Sequence, residues 1–204
     1  MAVDNAATSN PASLQSKILF IQQSIDPKMR LVLNPEWSSA NPNYRSEIRG
    51  FLASKFSVHF SREQLALLAD LNWIPQASRG FFSISHCRRV GGFSYSEKPH
   101  GFDVEEVRRI SVDVLKRVCT SEEFAEATDH PEHLWVAKEA GLKSFLDATA
   151  IPLLVSDLTC TQWSSHYENQ IFGFRLKSAK TLDFCLNQGF IFSHEEALYS
   201  LYFR

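Results

Sequence analysis

Between Phe81 and Tyr95 the chain changes its hydrophobic period, and that change constrains the fold more than any other feature. The stretches FFSISH and VGGFSYS alternate apolar with small polar residues and are rich in phenylalanine, as half-buried strands are. Upstream, Tyr44, Ile48, Phe51, Leu52 and Phe56 recur at helical spacing, which predicts a helix over Asn41 to His59 with Pro42 in its first turn. SREQLALLADL predicts a second, short helix capped by Ser61, and Pro75 with Gly80 marks a loop before the strands. Downstream, FDVEEV reads as a short strand, and SVDVLKRVC and SEEFAEA read as helices each opened by a capping serine. Pro131 to Ala148 reads as one further helix, in which Gly141 costs about 1 kcal/mol relative to alanine. LLVSDLTC, YENQIFGFRLKS and LDFCLNQGFIFS are β-rich. The order helix, strands, helix, strands gives an α+β class with room for two structurally similar halves.

Composition removes several function classes. Lys+Arg 21 against Asp+Glu 23 gives a net charge of −2, so no global field draws the protein to nucleic acid or to an anionic membrane. The N-terminus, MAVDNAATSNPAS, has no basic segment followed by an apolar one, so it reads as a loose polar leader over residues 1–15 and not as a signal peptide. No apolar run is long enough to span a membrane. Cys87, Cys119, Cys160 and Cys185 form no C-x-x-C pair, which favours reduced thiols in a cytoplasmic protein over zinc or a disulfide framework. No G-x-S-x-G, G-x-x-x-x-G-K-[ST] or G-x-G-x-x-G occurs, so hydrolase and phosphate-loop readings fail.

What remains is a small set of polar side chains. In GFDVEEV, Asp103 and Glu105 are two apart, so on a strand both carboxylates leave one face while Phe102 and Val104 enter the core. Two carboxylates on a rigid face suit magnesium, although taken alone a solvated acidic face is the commoner meaning. In WVAKEAGLK, Glu139 and Lys143 share a helical face one turn apart, with an ordinary surface salt bridge as the bland alternative. Lys138 points elsewhere, into solvent. Ser85 and His86 end a strand and precede Arg88 and Arg89, a local positive cluster able to meet phosphate. His130 and His133 match neither half of H-E-x-x-H and receive no role.

Together, G-F-D-V-E, then some thirty residues, then W-V-A-K-E-A-x-x-K resembles the paired signature of 4′-phosphopantetheinyl transferases, and S-I-S-H upstream resembles the family's third motif. The three cover Ser83 to Ser144. The length resembles the surfactin-synthetase-activating branch, monomers of two fused similar α+β halves, more than the small trimeric holo-acyl-carrier-protein synthases. The resemblance implies an N-terminal half over residues 16–100, a C-terminal half over 101–204, and an active site between them. It implies Asp103, Glu105 and Glu139 as ligands of Mg2+, with Mn2+ as an alternative, Lys143 at the phosphates of coenzyme A, and Ser85 with His86 at its 3′-phosphate. The implied reaction moves phosphopantetheine from coenzyme A, the co-substrate, to a serine of an acyl or peptidyl carrier protein, releasing 3′,5′-ADP. Glu139, directly or through a water, is the candidate general base and Lys143 the second catalytic charge.

The resemblance is incomplete at one end. The family's Gly-Lys-Pro element is absent, and NWIPQASRG stands in its place with Arg79 as the candidate substitute. Among the basic residues Lys28, Arg30 and Arg45, the helix expected around Arg45 makes it the first candidate for coenzyme A binding. This gap keeps a second reading open, a non-catalytic module on the same fold that binds coenzyme A or a carrier protein.

Overall fold

The computed structural model describes residues 13–56, 73–77, 80–127, 129–145, 152–166, 170–178, 180, 184 and 186–204. The helix expected over SREQLALLADL, as well as Arg79 and Cys185, lies outside the described residues.

Helix α1 (Leu14–Ser24) takes in the end of the stretch expected as a leader over residues 1–15, because the Ser13 hydroxyl accepts a hydrogen bond from the Ser16 N–H and caps it. Strand β1 (Arg30–Asn34) and helix α2 (Tyr44–Phe56) follow. Strands β2 (Trp73–Ala77), β3 (Gly80–His86) and β4 (Gly91–Ser96) join β1 in an antiparallel sheet of order β1-β4-β3-β2. Pro75, expected in a loop, therefore sits in a strand. β2 is an edge of that sheet and its register shifts between Ile74 and Ala77, so the missing proline N–H breaks no ladder.

Strand β5 (His100–Glu106) opens the second half of the chain. Helices α3 (Val112–Val118), α4 (Ser121–Glu126) and α5 (Glu132–Ser144) precede β6 (Leu158–His166), β7 (Ile171–Ser178), β8 (Gln188–His194) and β9 (Ala197–Phe203). With β5 these strands form a second antiparallel sheet of order β5-β9-β8-β7-β6. Ser111 caps α3 as expected, but α4 is capped by Thr120 in a capping box with Glu123, and Ser121 is already inside the helix.

The five-stranded sheet has apolar cover on both faces. Ile18 and Ile21 of α1 pack with Phe102, Val104, Phe190 and Leu201, while Leu134, Ala137 and Ala140 of α5 pack with Leu158, Leu176 and Tyr202. A third cluster places Ile48 and Leu52 of α2 against Ile84 and Phe93 of the four-stranded sheet. Two glycines set how closely α5 lies on the sheet. A Cβ on Gly101 would overlap the Ala140 carbonyl, and one on Gly141 would overlap the Leu176 side chain. Gly141 is thus placed for packing, which accounts for its presence inside a helix. Among the described residues no helix is long and apolar enough to cross a membrane.

Candidate functional site

The two sheets meet through serines. β5 is an edge of its sheet, and its outward N–H groups need acceptors. Phe102 N–H donates to Ser83 Oγ at 2.9 Å and Val104 N–H donates to Ser85 Oγ at 3.2 Å. The S-x-S spacing on β3 puts both hydroxyls on one face, two residues apart, to match the two-residue repeat of the donors.

That seam fixes the first three site residues. Ser85 Oγ donates to Asp103 Oδ1 at 2.8 Å, and Lys143 Nζ donates to the same Oδ1 at 2.7 Å and to Ser85 Oγ at 2.9 Å. Lys143 thus reaches from the last turn of α5 to a carboxylate 40 positions away, in place of the surface pair with Glu139 that spacing alone suggested. Asp103 and Lys143 are both nearly buried.

Glu105 and Glu139 complete the electrostatics. Burial pushes the Glu105 carboxyl above its ordinary range, and the Asp103 charge adds to this against the Glu106 N–H and Arg109. Burial also raises Glu139, with Asp103 and Glu105 adding and Lys143 opposing. Each of these carboxyls therefore feels the other acids. The oxygens of Asp103, Glu105 and Glu139 do not all lie within 4.8 Å of one another. Oxygens sharing one Mg2+ at about 2.0–2.1 Å lie at most about 4.2 Å apart, so the three carboxylates do not close on a single ion as placed; their chemistry is that of hard oxygen donors, of which magnesium takes one or two and fills its remaining positions with water and substrate phosphate oxygens.

On the other side of Ser85 lies a second group. The His86 ring stacks on Tyr44 with centroids 4.1 Å apart, and its Nδ1 is buried without a hydrogen-bond partner. Burial, Lys143 and Arg45 lower its pKa, so the ring is neutral near pH 7. Arg45 Nε donates to the Tyr44 hydroxyl at 2.7 Å. Arg49, one turn along α2, has its pKa lowered by burial and by the Arg45 charge. Helix α2 therefore aims positive charge at the end of β3. The α2 residues Tyr44 and Arg49 were not singled out from the sequence, although the i, i+4 spacing of Arg45 and Arg49 on the expected helix carried the signal. Lys28 and Arg30 are elsewhere, the first paired with Glu97 at 2.8 Å and the second donating to the Pro27 and Met29 carbonyls.

Sequence comparison bears on this arrangement. No family model matches the chain. A 113-residue stretch, 52% of the chain, is 27% identical to the 4′-phosphopantetheinyl transferase Sfp of Bacillus subtilis strain 168, covering 49% of that protein. An 89-residue stretch, 40% of the chain, is 29% identical to a second Bacillus subtilis 4′-phosphopantetheinyl transferase, covering 40% of it. The resemblance is to the 4′-phosphopantetheinyl transferase superfamily. The matched stretches span half or less of the length of these transferases. The mixed α+β architecture with two antiparallel sheets is consistent with a phosphopantetheinyl transferase-like fold.

Proposed function

We propose that the chain transfers the 4′-phosphopantetheine group of coenzyme A to a serine of an apo carrier protein and releases 3′,5′-ADP in a magnesium-dependent reaction. The observation that carries this reading is the convergence of Ser85, Asp103 and Lys143, drawn from β3, β5 and α5, with Glu139 beside them and the His86–Tyr44–Arg45 group adjoining. Asp103, Glu105 and Glu139 would hold the ion, which when bound supplies positive charge to a diphosphate.

The protein's own residues account for the rest. Lys143 presents an ammonium to the diphosphate and stabilises charge on the departing oxygen. His86 and Arg45 suit the 3′-phosphate, since the unpartnered Nδ1 can donate once the anion raises the imidazole's proton affinity, while Ser85, its hydroxyl already committed to Asp103, Val104 and Lys143, holds β3 and His86 in place beside them. Glu139, directly or through a water, is the base for the carrier serine. The serine oxygen bonds to the β-phosphorus, the bond from that phosphorus to the bridging oxygen breaks, and the serine proton passes to Glu139. One chain supplies every residue named, so a monomer suffices, with halves at residues 16–100 and 101–204 meeting at the site. Cys87, Cys119 and Cys160 are free thiols, as suits the cytoplasm.

Incubation with coenzyme A, Mg2+ and a panel of apo carrier proteins, read by intact mass, tests the proposal. One carrier gains the mass of a single phosphopantetheine group. Absence of any gain across the panel, with folded enzyme, overturns it.

A further inference from the structure

A second cluster of ligand-bearing side chains lies away from the carboxylate site. The His130, Glu132 and His133 ligand atoms all fall within 4.8 Å of one another, and no other trio of His, Cys, Asp or Glu among the described residues does so. The sequence pattern hid this group because Pro131 separates the histidines. In the fold, Pro131 takes helical angles and the His133 N–H donates to the His130 carbonyl at 3.0 Å, so residues 130–133 form one turn at the start of α5. The two imidazoles then lie stacked, 4.7 Å apart and 13° from parallel, with the Phe172 ring packed against both. His130 Nδ1 is 3.4 Å from Glu132 Oε1.

The surroundings favour a cation. The trio adjoins a cavity of about 300 Å³ whose lining includes Glu126 and Asp129 and contains no lysine or arginine. The remaining lining is Ala127, Trp163, Ser164, Ser165 and Phe172, none of it charged.

We propose that His130, Glu132 and His133 form a zinc-class metal site at the mouth of this cavity, separate from the Asp103, Glu105 and Glu139 set. Two imidazoles and one carboxylate are a ligand set that zinc and its borderline neighbours take and that magnesium does not. Zinc ligands at about 2.0–2.1 Å in a tetrahedron lie roughly 3.4 Å apart, so closing the set asks for side-chain rotations of the order of 1 Å. The exposed His130 ring can make them. The cavity leaves space for a fourth ligand from solvent. The bound ion would pin the residue that leads into α5 to the helix's first turn.

The test is a titration of the full chain, freed of metal, with ZnCl2 against a chromophoric chelator in excess Mg2+, which occupies the carboxylate site. One zinc per chain binds, and the ion raises the melting temperature by mass action. His130→Ala and Glu132→Gln each weaken binding by about tenfold or more, a loss that even an outer partner of a metal ligand produces. Asp103→Asn leaves zinc affinity unchanged. Cobalt in place of zinc gives visible bands with no thiolate charge-transfer band. Failure to bind zinc saturably, wild-type affinity in folded His130→Ala, loss of zinc in Asp103→Asn, or a thiolate band each overturns the site. His133 is buried, so the test rests on the exposed His130 and on Glu132, whose replacement leaves the core intact.

Discussion

Helix α5 carries two lysines five residues apart, each paired with an acid, and the pairs are built to opposite ends. Lys138 Nζ donates to Glu123 Oε2 at 2.9 Å and to the Val118 carbonyl at 2.5 Å, while the two Glu123 oxygens also accept from the Thr120 and Cys160 N–H groups. Both side chains are 1% exposed. Charges and hydrogen bonds balance there, and nothing is left for a ligand. Lys143 and Asp103 are 9% and 8% exposed and sit beside Glu105 and Glu139, so acid outnumbers base and burial with repulsion raises both glutamates. A satisfied pair holds the fold; an oversupplied one stores electrostatic energy that a cation can relieve.

Breaking the satisfied pair should give the largest effect. Glu123→Ala leaves Lys138 charged and buried, and equilibrium denaturation should show a loss of about 3–5 kcal/mol. A joint Lys138→Met, Glu123→Leu replacement should recover much of it, since no buried charge remains. The oversupplied pair should behave in reverse. Asp103→Asn and Glu139→Gln should each lower the transfer rate by at least about a hundredfold, about 3 kcal/mol in barrier. Yet Glu139→Gln should raise the melting temperature at pH 7. Its carboxyl has a folded pKa above the usual 4.5, so the native state holds the proton more tightly than the unfolded chain and loses stability as pH rises through that window. Gln removes the penalty, and the gain should vanish below pH 4.5. Two mutants that both lose stability would erase the contrast.

The contrast also separates what was legible in the sequence. Period-two and period-3.6 patterns located α2, β3, β4, β5 and α5, because each buries one face and exposes or pairs the other. β9 escaped, since all seven residues of ALYSLYF are buried: Tyr199, Leu201 and Phe203 enter one core, Leu198 and Tyr202 the other, and no alternation survives. Asp103, Glu105, Glu139 and Lys143 were found by spacing and resemblance together. Lys138 was misread as solvated, because its partner Glu123 is 15 positions away on another helix and local spacing carries no trace of it. Tyr44 was read only as a position on the apolar face of α2, for the same reason: its stack on His86 exists only once α2 packs on the sheet.

A third buried polar pair holds no charge and sharpens the comparison by its pH response. His100 Nδ1–H donates to the Lys98 carbonyl at 3.1 Å, which leaves Nε2 to accept from the Ser94 hydroxyl at 2.7 Å. Burial pushes its pKa down to about 4 from 6.5. The unfolded chain takes up this proton below pH 6.5 while the native state refuses it until about pH 4, so stability is full above pH 6.5 and falls through that window, by at most about 3.5 kcal/mol at about 1.4 kcal/mol per pH unit. Denaturation midpoints at a series of pH values should show the slope, and His100→Gln should flatten it. An unchanged slope would mean that His133, with its pKa lowered to about 3, dominates.

The smallest effect should come from the rim of the satisfied pair. Thr120 Oγ1 accepts from the Glu123 N–H at 3.3 Å and the Thr120 N–H donates to Glu123 Oε2 at 2.8 Å, so one side of the Glu123 carboxylate is also a helix cap. Thr120→Ala removes the hydroxyl and keeps the backbone donor, and should cost about 1 kcal/mol. The Glu123–Lys138 bond stays in place. If Thr120→Ala instead cost as much as Glu123→Ala, the capping box would carry the stability of this corner and Lys138 would be a passenger. A double-mutant cycle between Thr120→Ala and Lys138→Met decides it: near-additive losses leave the ion pair as the main support, while a coupling of the same size as either loss makes cap and pair one unit.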